Sequence, residues 1–199
     1  MPKKSAQVGK LVEERKLLRS KELQGTTLSR SHLWNLARAG KLEHVGRGLY
    51  RAKDAPISAH ETLIEVSKRV PRAVLCLSSA LRYHELSTEN PSEIWIALPH
   101  GAWSPKLDYP PIRVLHFSKA SFEFGIEAHP EAGATLRVYT PAKTVADCFK
   151  FRSKVGTETA IEALRAAYRE RKASIDELWQ AARVCRVANV MRPYMESLV

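Results

Sequence analysis

The chain is poor in the features that mark several large classes of protein. Its three cysteines, Cys76, Cys148 and Cys185, are odd in number, lie far apart and form no C-x-x-C pair. That fits neither a disulfide framework nor a zinc knuckle, so all three are expected to be buried apolar thiols. The longest apolar runs, residues 73–77 and 94–98, are five residues each, against the ~18 or more needed to cross a bilayer. No membrane span is therefore expected. The basic tip is followed by Glu13, Glu14 and Arg15 instead of an apolar stretch, so no secretory signal is read and a cytoplasmic location is expected.

Catalytic signatures are missing as well. A nucleotidyltransferase needs Gly-Ser before a helix and D-x-[DE], because two carboxylates must share the cation that bridges the nucleotide phosphates. No Gly-Ser occurs, and none of Asp54, Asp108, Asp147 or Asp176 has an acidic residue two positions on. A restriction-like nuclease needs Pro-Asp upstream of E-x-K on a strand. Here Glu170-Arg171-Lys172 sits in a helical pattern and no Pro-Asp precedes it. The seven histidines, among them His84, His100, His116 and His129, show no H-E-x-x-H spacing, and they read as surface or hydrogen-bonded side chains. Neither a G-x-S-x-G elbow around Ser78 and Ser79 nor a G-x-x-x-x-G-K phosphate loop is present, and the two serines read as helix caps. No catalytic residue, metal or cofactor is expected.

What the chain has in excess is positive charge. There are 32 Lys/Arg against 21 Asp/Glu in 199 residues, a net +11. The first 55 residues hold 13 and 5 of these, and the remaining 144 hold 19 and 16. Such asymmetry points to a polyanionic partner, nucleic acid or an anionic membrane, with a merely soluble surface as the plain alternative.

No repeat of 20 to 50 residues is present. A boundary is read at Asp54-Ala55-Pro56, separating a first domain, 1–55, from a second, 56–199. Val8, Leu11, Val12, Leu17 and Leu18 are expected on one helical face, and a second short helix is expected from Ser20 to a stop at Gly25. Beyond the boundary a helix capped by Ser58 is expected over 58–70, then strands at 73–77, 93–98, 112–117 and 135–139. A helix at 78–86 and a loop at 99–111 interrupt them. Helices are expected over 141–152, 157–171 and 175–186, with a short terminal segment. The expected class is α/β (α+β): an N-terminal winged helix-turn-helix, then a mixed α/β domain ending in helices.

Residues 28–51 carry the most information. At about 100° per residue from Arg30, the side chains of Arg30, Ser31, Trp34, Asn35 and Arg38 project between about 0° and 140°, and those of Leu33, Leu36 and Ala37 between about 240° and 340°. One face can pack while the other offers arginine to guanine edges and asparagine to adenine in a major groove. Gly25-Thr26-Thr27 spaces this helix from the preceding segment as in a helix-turn-helix. After Gly40, residues 42–45 and 49–51 read as two strands joined by Gly46-Arg47-Gly48, a wing in which Arg47, Arg51 and Lys53 supply charge for a phosphate or minor groove. Thr27, Ser29, Lys41 and Tyr50 complete the candidate DNA contacts. An ordinary amphipathic helix and hairpin with a solvated basic face is the bland alternative.

These residues, with Cys76-Leu77-Ser78-Ser79-Ala80-Leu81 and residues 141–150 (Pro-Ala-Lys-Thr-Val-Ala-Asp-Cys-Phe-Lys), resemble the AbiEi antitoxin family. The three blocks stand in the family's order and span about residues 8 to 190. The resemblance implies a winged-helix domain that represses its own operon by binding inverted repeats in double-stranded DNA. It also implies an α/β domain that neutralises a nucleotidyltransferase toxin, in a type IV scheme where the two proteins need not touch. Only the recognition helix and wing inherit residue roles from it. A winged-helix regulator without antitoxin activity, or a module whose basic face docks an acidic protein, are the competing readings.

In the second domain Lys143, Asp147 and Lys150 fall at i, i+4 and i+7 of one expected helix face. With Arg165 and Arg169 of a basic stripe opposite Ile161, Leu164 and Tyr168, Lys143 and Lys150 form a candidate antitoxin-domain surface. Its plain alternative is a solvated face.

Overall fold

The structure, a computed structural model, describes residues 17–23, 29–46, 48–53, 60–131 and 134–198. It is a mixed α/β fold with two sheets and nine helices among the described residues. The chain divides into two compact units, 1–71 with 130–135, and 72–129 with 136–199. The division falls at Pro71/Arg72 and not at residues 55/56 as expected. The cause is a helix, Glu61–Arg69, that is tied to the first unit: Glu61 pairs with Arg51, and the Arg19 guanidinium donates to the Lys68 carbonyl. The expected linker at 54–56 and the Ser58 cap lie outside the described residues.

In the first unit β1 (Leu17–Arg19) leads into a 3-10 turn (Ser20–Leu23), followed by α1 (Arg30–Arg38), β2 (Leu42–Gly46), β3 (Leu49–Ala52) and α2 (Glu61–Arg69). The sheet order is β1-β3-β2, antiparallel throughout, with a bulge between His44 and Gly46. Leu17 and Leu18, expected on a helix, are strand residues instead. The edge of β3 supplies backbone partners for both (Leu17 opposite Arg51, Leu18 opposite Tyr50), and Leu18 is fully buried, so tertiary pairing overrides the local helical pattern. Val8, Leu11 and Val12 lie outside the described residues. The second expected helix is only the four-residue 3-10 turn. Leu18, Leu23, Leu33, Leu36, Leu42 and Tyr50 form the core of this unit.

The second unit contains β4 (Val74–Leu75), α3 (Leu77–Tyr83), β5 (Ile94–Pro99), β6 (Ile112–Phe117), α4 (Lys119–Glu123) and most of β7 (Ile126–Glu131) and β8 (Ala134–Tyr139), whose residues 130–131 and 134–135 are counted with the first. It continues with α5 (Pro141–Lys150), α6 (Arg152–Val155), α7 (Thr157–Arg169), α8 (Ile175–Val184) and α9 (Ala188–Glu196). Its sheet runs β6-β5-β4-β8-β7, with β4 antiparallel to β5 while β5/β6 and β4/β8 are parallel. Every residue of α5 from Ala142 to Phe149 is buried, which makes this helix the axis of the core.

Two local expectations are corrected. Neither Ser78 nor Ser79 caps α3, which starts one residue earlier at Leu77; the Ser79 hydroxyl instead accepts the Trp95 N–H at 2.8 Å. The helix expected over 141–152 breaks at Phe151, between α5 and α6. Among the described residues no helix is long and apolar enough to cross a membrane.

Candidate nucleic-acid interface

The local sequence sets α1 at both ends. Ser29 is its N-cap; the Ser29 N–H donates to Nδ1 of His32 at 3.2 Å, and its hydroxyl lies 2.7 Å from the same nitrogen and 2.6 Å from the Ser31 hydroxyl. This is a capping box in which an imidazole stands where Glu or Gln is usual. At the other end the Ala39 and Gly40 N–H groups return to the Asn35 and Ala37 carbonyls. Between these ends Leu33 and Leu36 are buried and Ala37 packs beside them, while Arg30, Ser31, Trp34, Asn35 and Arg38 are all exposed. The division matches the expected faces. No acidic residue occurs from Gln24 to Leu42, so Arg30, Arg38 and Lys41 lie in a stretch with no opposing charge of its own.

One contact in this face was not foreseen. The Arg38 guanidinium lies over the Trp34 indole, 4.8 Å from its centroid. The i, i+4 spacing is the signal that would have found it.

The wing is positioned by the bulged pairing of β2 and β3. Gly48 follows the turn at φ +71°, and an added Cβ would stand 2.7 Å from the Ser20 hydroxyl; the Ser20 N–H also donates to the Gly48 carbonyl at 2.7 Å. Glycine here supplies both the left-handed backbone and the close approach. Lys41 and Lys53 are exposed. Thr27 and Arg47 lie outside the described residues.

Two candidate contacts are corrected. Tyr50 is buried in the core, with its ring edge-to-face against His44 at 5.1 Å, because its place opposite Leu18 turns it inward. Arg51 is clamped between Glu43 across the hairpin and Glu61 at the start of α2, with its side chain only 20% exposed. Glu43, and then Glu61, hold its pKa above the ordinary guanidinium value. In this structure the guanidinium is held by two carboxylates and ties β3 to α2. Ser29 remains exposed but is engaged in capping.

In the second unit Lys150, Arg165 and Arg169 are exposed, whereas Lys143 is not a surface residue at all. Its ammonium pairs with Asp147, and neither side chain has any exposed surface. It sits 4.1 Å from the centroid of the Tyr139 ring and 4.8 Å from that of Phe117. The Cys185 thiol donates to Asp147 at 3.4 Å. Gly125 makes room for this group, since a Cβ there would come within 2.9 Å of the Lys143 Cβ. Burial raises the Asp147 pKa against the opposing pull of Lys143. All three cysteines are buried and free, and burial raises their thiol pKa values, to about 12 for Cys185.

Compared with known proteins, the chain matches no family model and no curated protein. It is similar in fold to a solved structure, the RV2827C protein from Mycobacterium tuberculosis. The match has a TM-score of 0.60 at 16% identity and covers 100% of this chain and 81% of that one.

Proposed function

We propose that this protein is a cytoplasmic DNA-binding autorepressor and the antitoxin of an AbiE-like type IV toxin–antitoxin pair, acting without catalytic chemistry of its own. Its first unit binds inverted repeats in the DNA upstream of its own operon. Its second unit counteracts a nucleotidyltransferase toxin, with direct contact not required. The observation that carries the DNA reading is the division of α1. Leu33 and Leu36 anchor the helix, which leaves Arg30, Ser31, Trp34, Asn35 and Arg38 exposed together, in a stretch of sequence with no acidic residue from Gln24 to Leu42 and followed by a hairpin with Lys41 and Lys53 at its base. The antitoxin half rests on the sequence blocks at 76–81 and 141–150.

The test is a titration against the DNA upstream of the gene and a scrambled duplex of equal length, at two salt concentrations. A preference of about 1000-fold or more is expected. Asn35→Ala is expected to cost on the order of 1 to 3 kcal/mol on the cognate duplex and much less on the scrambled one. Equal, strongly salt-dependent binding to both duplexes overturns the autorepressor. Rescue of growth in cells expressing a nucleotidyltransferase encoded beside the gene tests the antitoxin half, and failure to rescue removes it.

A further inference from the structure

Trp34 is the one aromatic residue among the five of the exposed α1 face, and its only polar group is the single indole N–H. It is a large aromatic left 53% exposed on a unit whose core is built from Leu18, Leu23, Leu33, Leu36, Leu42 and Tyr50 without it. What it holds is Arg38, one turn on, with the guanidinium carbon 4.8 Å from the indole centroid. We infer that Trp34 is a positioning residue that presents Arg38 to a guanine-bearing base pair in the major groove.

The argument starts from Arg38 itself. It is the last residue of α1, and an arginine at a helix end with no partner samples many rotamers, all but one of which must be given up to contact a base. Stacking the planar guanidinium on an indole face restricts it before DNA arrives. A guanidinium that lies flat on an indole uses its π face and leaves its N–H edge unspent. That edge is the fork that pairs with O6 and N7 of guanine. Asn35 lies about 60° away on the same face by helical geometry, so the two readers point to one side of the helix while the indole stands beside them.

This inference rests on the proposed DNA reading, and the experiment separates the two. Dissociation constants are measured on the cognate and scrambled duplexes for the wild type, Trp34→Ala, Trp34→Phe, Arg38→Ala and the double variant Trp34→Ala/Arg38→Ala, with thermal melting of each protein. Arg38→Ala is expected to weaken cognate binding about tenfold or more, and Trp34→Ala about three- to fivefold. Trp34→Phe should retain most of the affinity, and the double variant should bind no worse than Arg38→Ala alone.

A scan of 7-deazaguanine, which lacks N7, through the cognate duplex adds a readout that loss of fold would not move. One position should penalise the wild type, penalise Trp34→Ala less and leave Arg38→Ala indifferent. Losses that add in the double variant mean that Trp34 touches DNA on its own, and they overturn the inference. So does full affinity in Trp34→Ala or in Arg38→Ala. A wild type that does not prefer its own upstream DNA brings down the DNA reading and this inference with it; a specific wild type with uncoupled variants brings down this inference alone.

Discussion

Lys143 and Asp147 form an ion pair with no exposed surface, which reassigns a residue that spacing alone put on a solvated face. Four positions apart on a helix, a lysine and an aspartate look like an ordinary surface pair. Here α5 is buried along its length, so the pair is inside. Such a pair is a weak source of stability while intact, but removing one partner leaves an uncompensated charge. Lys143→Met is therefore expected to cost about 3 to 5 kcal/mol near neutral pH, measured by urea unfolding. The double variant Lys143→Met/Asp147→Leu should recover much of that loss. The pH dependence has a definite sign. Burial already raises the Asp147 pKa, and without Lys143 its opposing pull is gone. The folded variant then holds a proton that the unfolded chain releases, so its stability falls as pH rises above the ordinary carboxylate range. A Lys143→Met variant whose stability is flat with pH would show that Asp147 has found another partner.

At the scale of elements, the hairpin of the first unit depends on one glycine. Gly48→Ala is expected to destabilise by about 1 to 2 kcal/mol for the left-handed backbone alone, with a further loss from the approach of Cβ to the Ser20 hydroxyl. Ser20→Ala added to it should relieve the second part and leave the first, which thermal melting of the single and double variants resolves. In the second unit His84 joins three elements. Its Nε2–H donates to the Tyr139 carbonyl at 2.7 Å at the end of β8, and its own carbonyl accepts from Lys172 at 2.7 Å beyond α7. Desolvation lowers its pKa, so on acidification the unfolded chain takes up a proton that the folded one resists. Stability is expected to fall as pH drops below the ordinary histidine range of about 6.5. His84→Gln should flatten that part of the pH–stability curve.

The strands expected at 93–98 and 112–117 and the helices α7 and α8 were legible from apolar runs and helical spacing. So were the exposed and buried faces of α1, because Leu33, Leu36 and the polar set keep helical spacing. β7 was not: in Ile126-Glu127-Ala128-His129-Pro130-Glu131 the alternation rests on one isoleucine, an alanine and a proline, with no β-branched or aromatic run, and a proline is at home only on an edge strand such as this one. The five-residue α4 is too short to show a period. Tyr50 and Arg51 were misread for a different reason. Their charge and aromaticity fit a wing, and only the pairing of β1 against β3 and the arrival of Glu61 from α2 decide which way they face.

For the whole molecule, the excess of charge in the first 55 residues counts toward DNA only where cations are unspent. Arg51 carries one of those charges but is held by Glu43 and Glu61, whereas Lys53, two residues on, is exposed. Binding that neutralises phosphates releases counterions, so each lysine or arginine that contacts one contributes to the slope of log affinity against log salt. Lys53→Ala is expected to reduce that slope by about one and to weaken cognate and scrambled duplexes alike. Arg51→Ala should leave the slope nearly unchanged while lowering the melting temperature, because it opens the clamp between β3 and α2 and removes no phosphate contact. If Arg51→Ala instead lowers the slope as Lys53→Ala does, with stability intact, the two carboxylates release the arginine when DNA binds. Arg51 would then count among the cations that contact phosphate. With the clamp closed, the count that governs salt dependence is smaller than composition suggests, and the slope measures it directly.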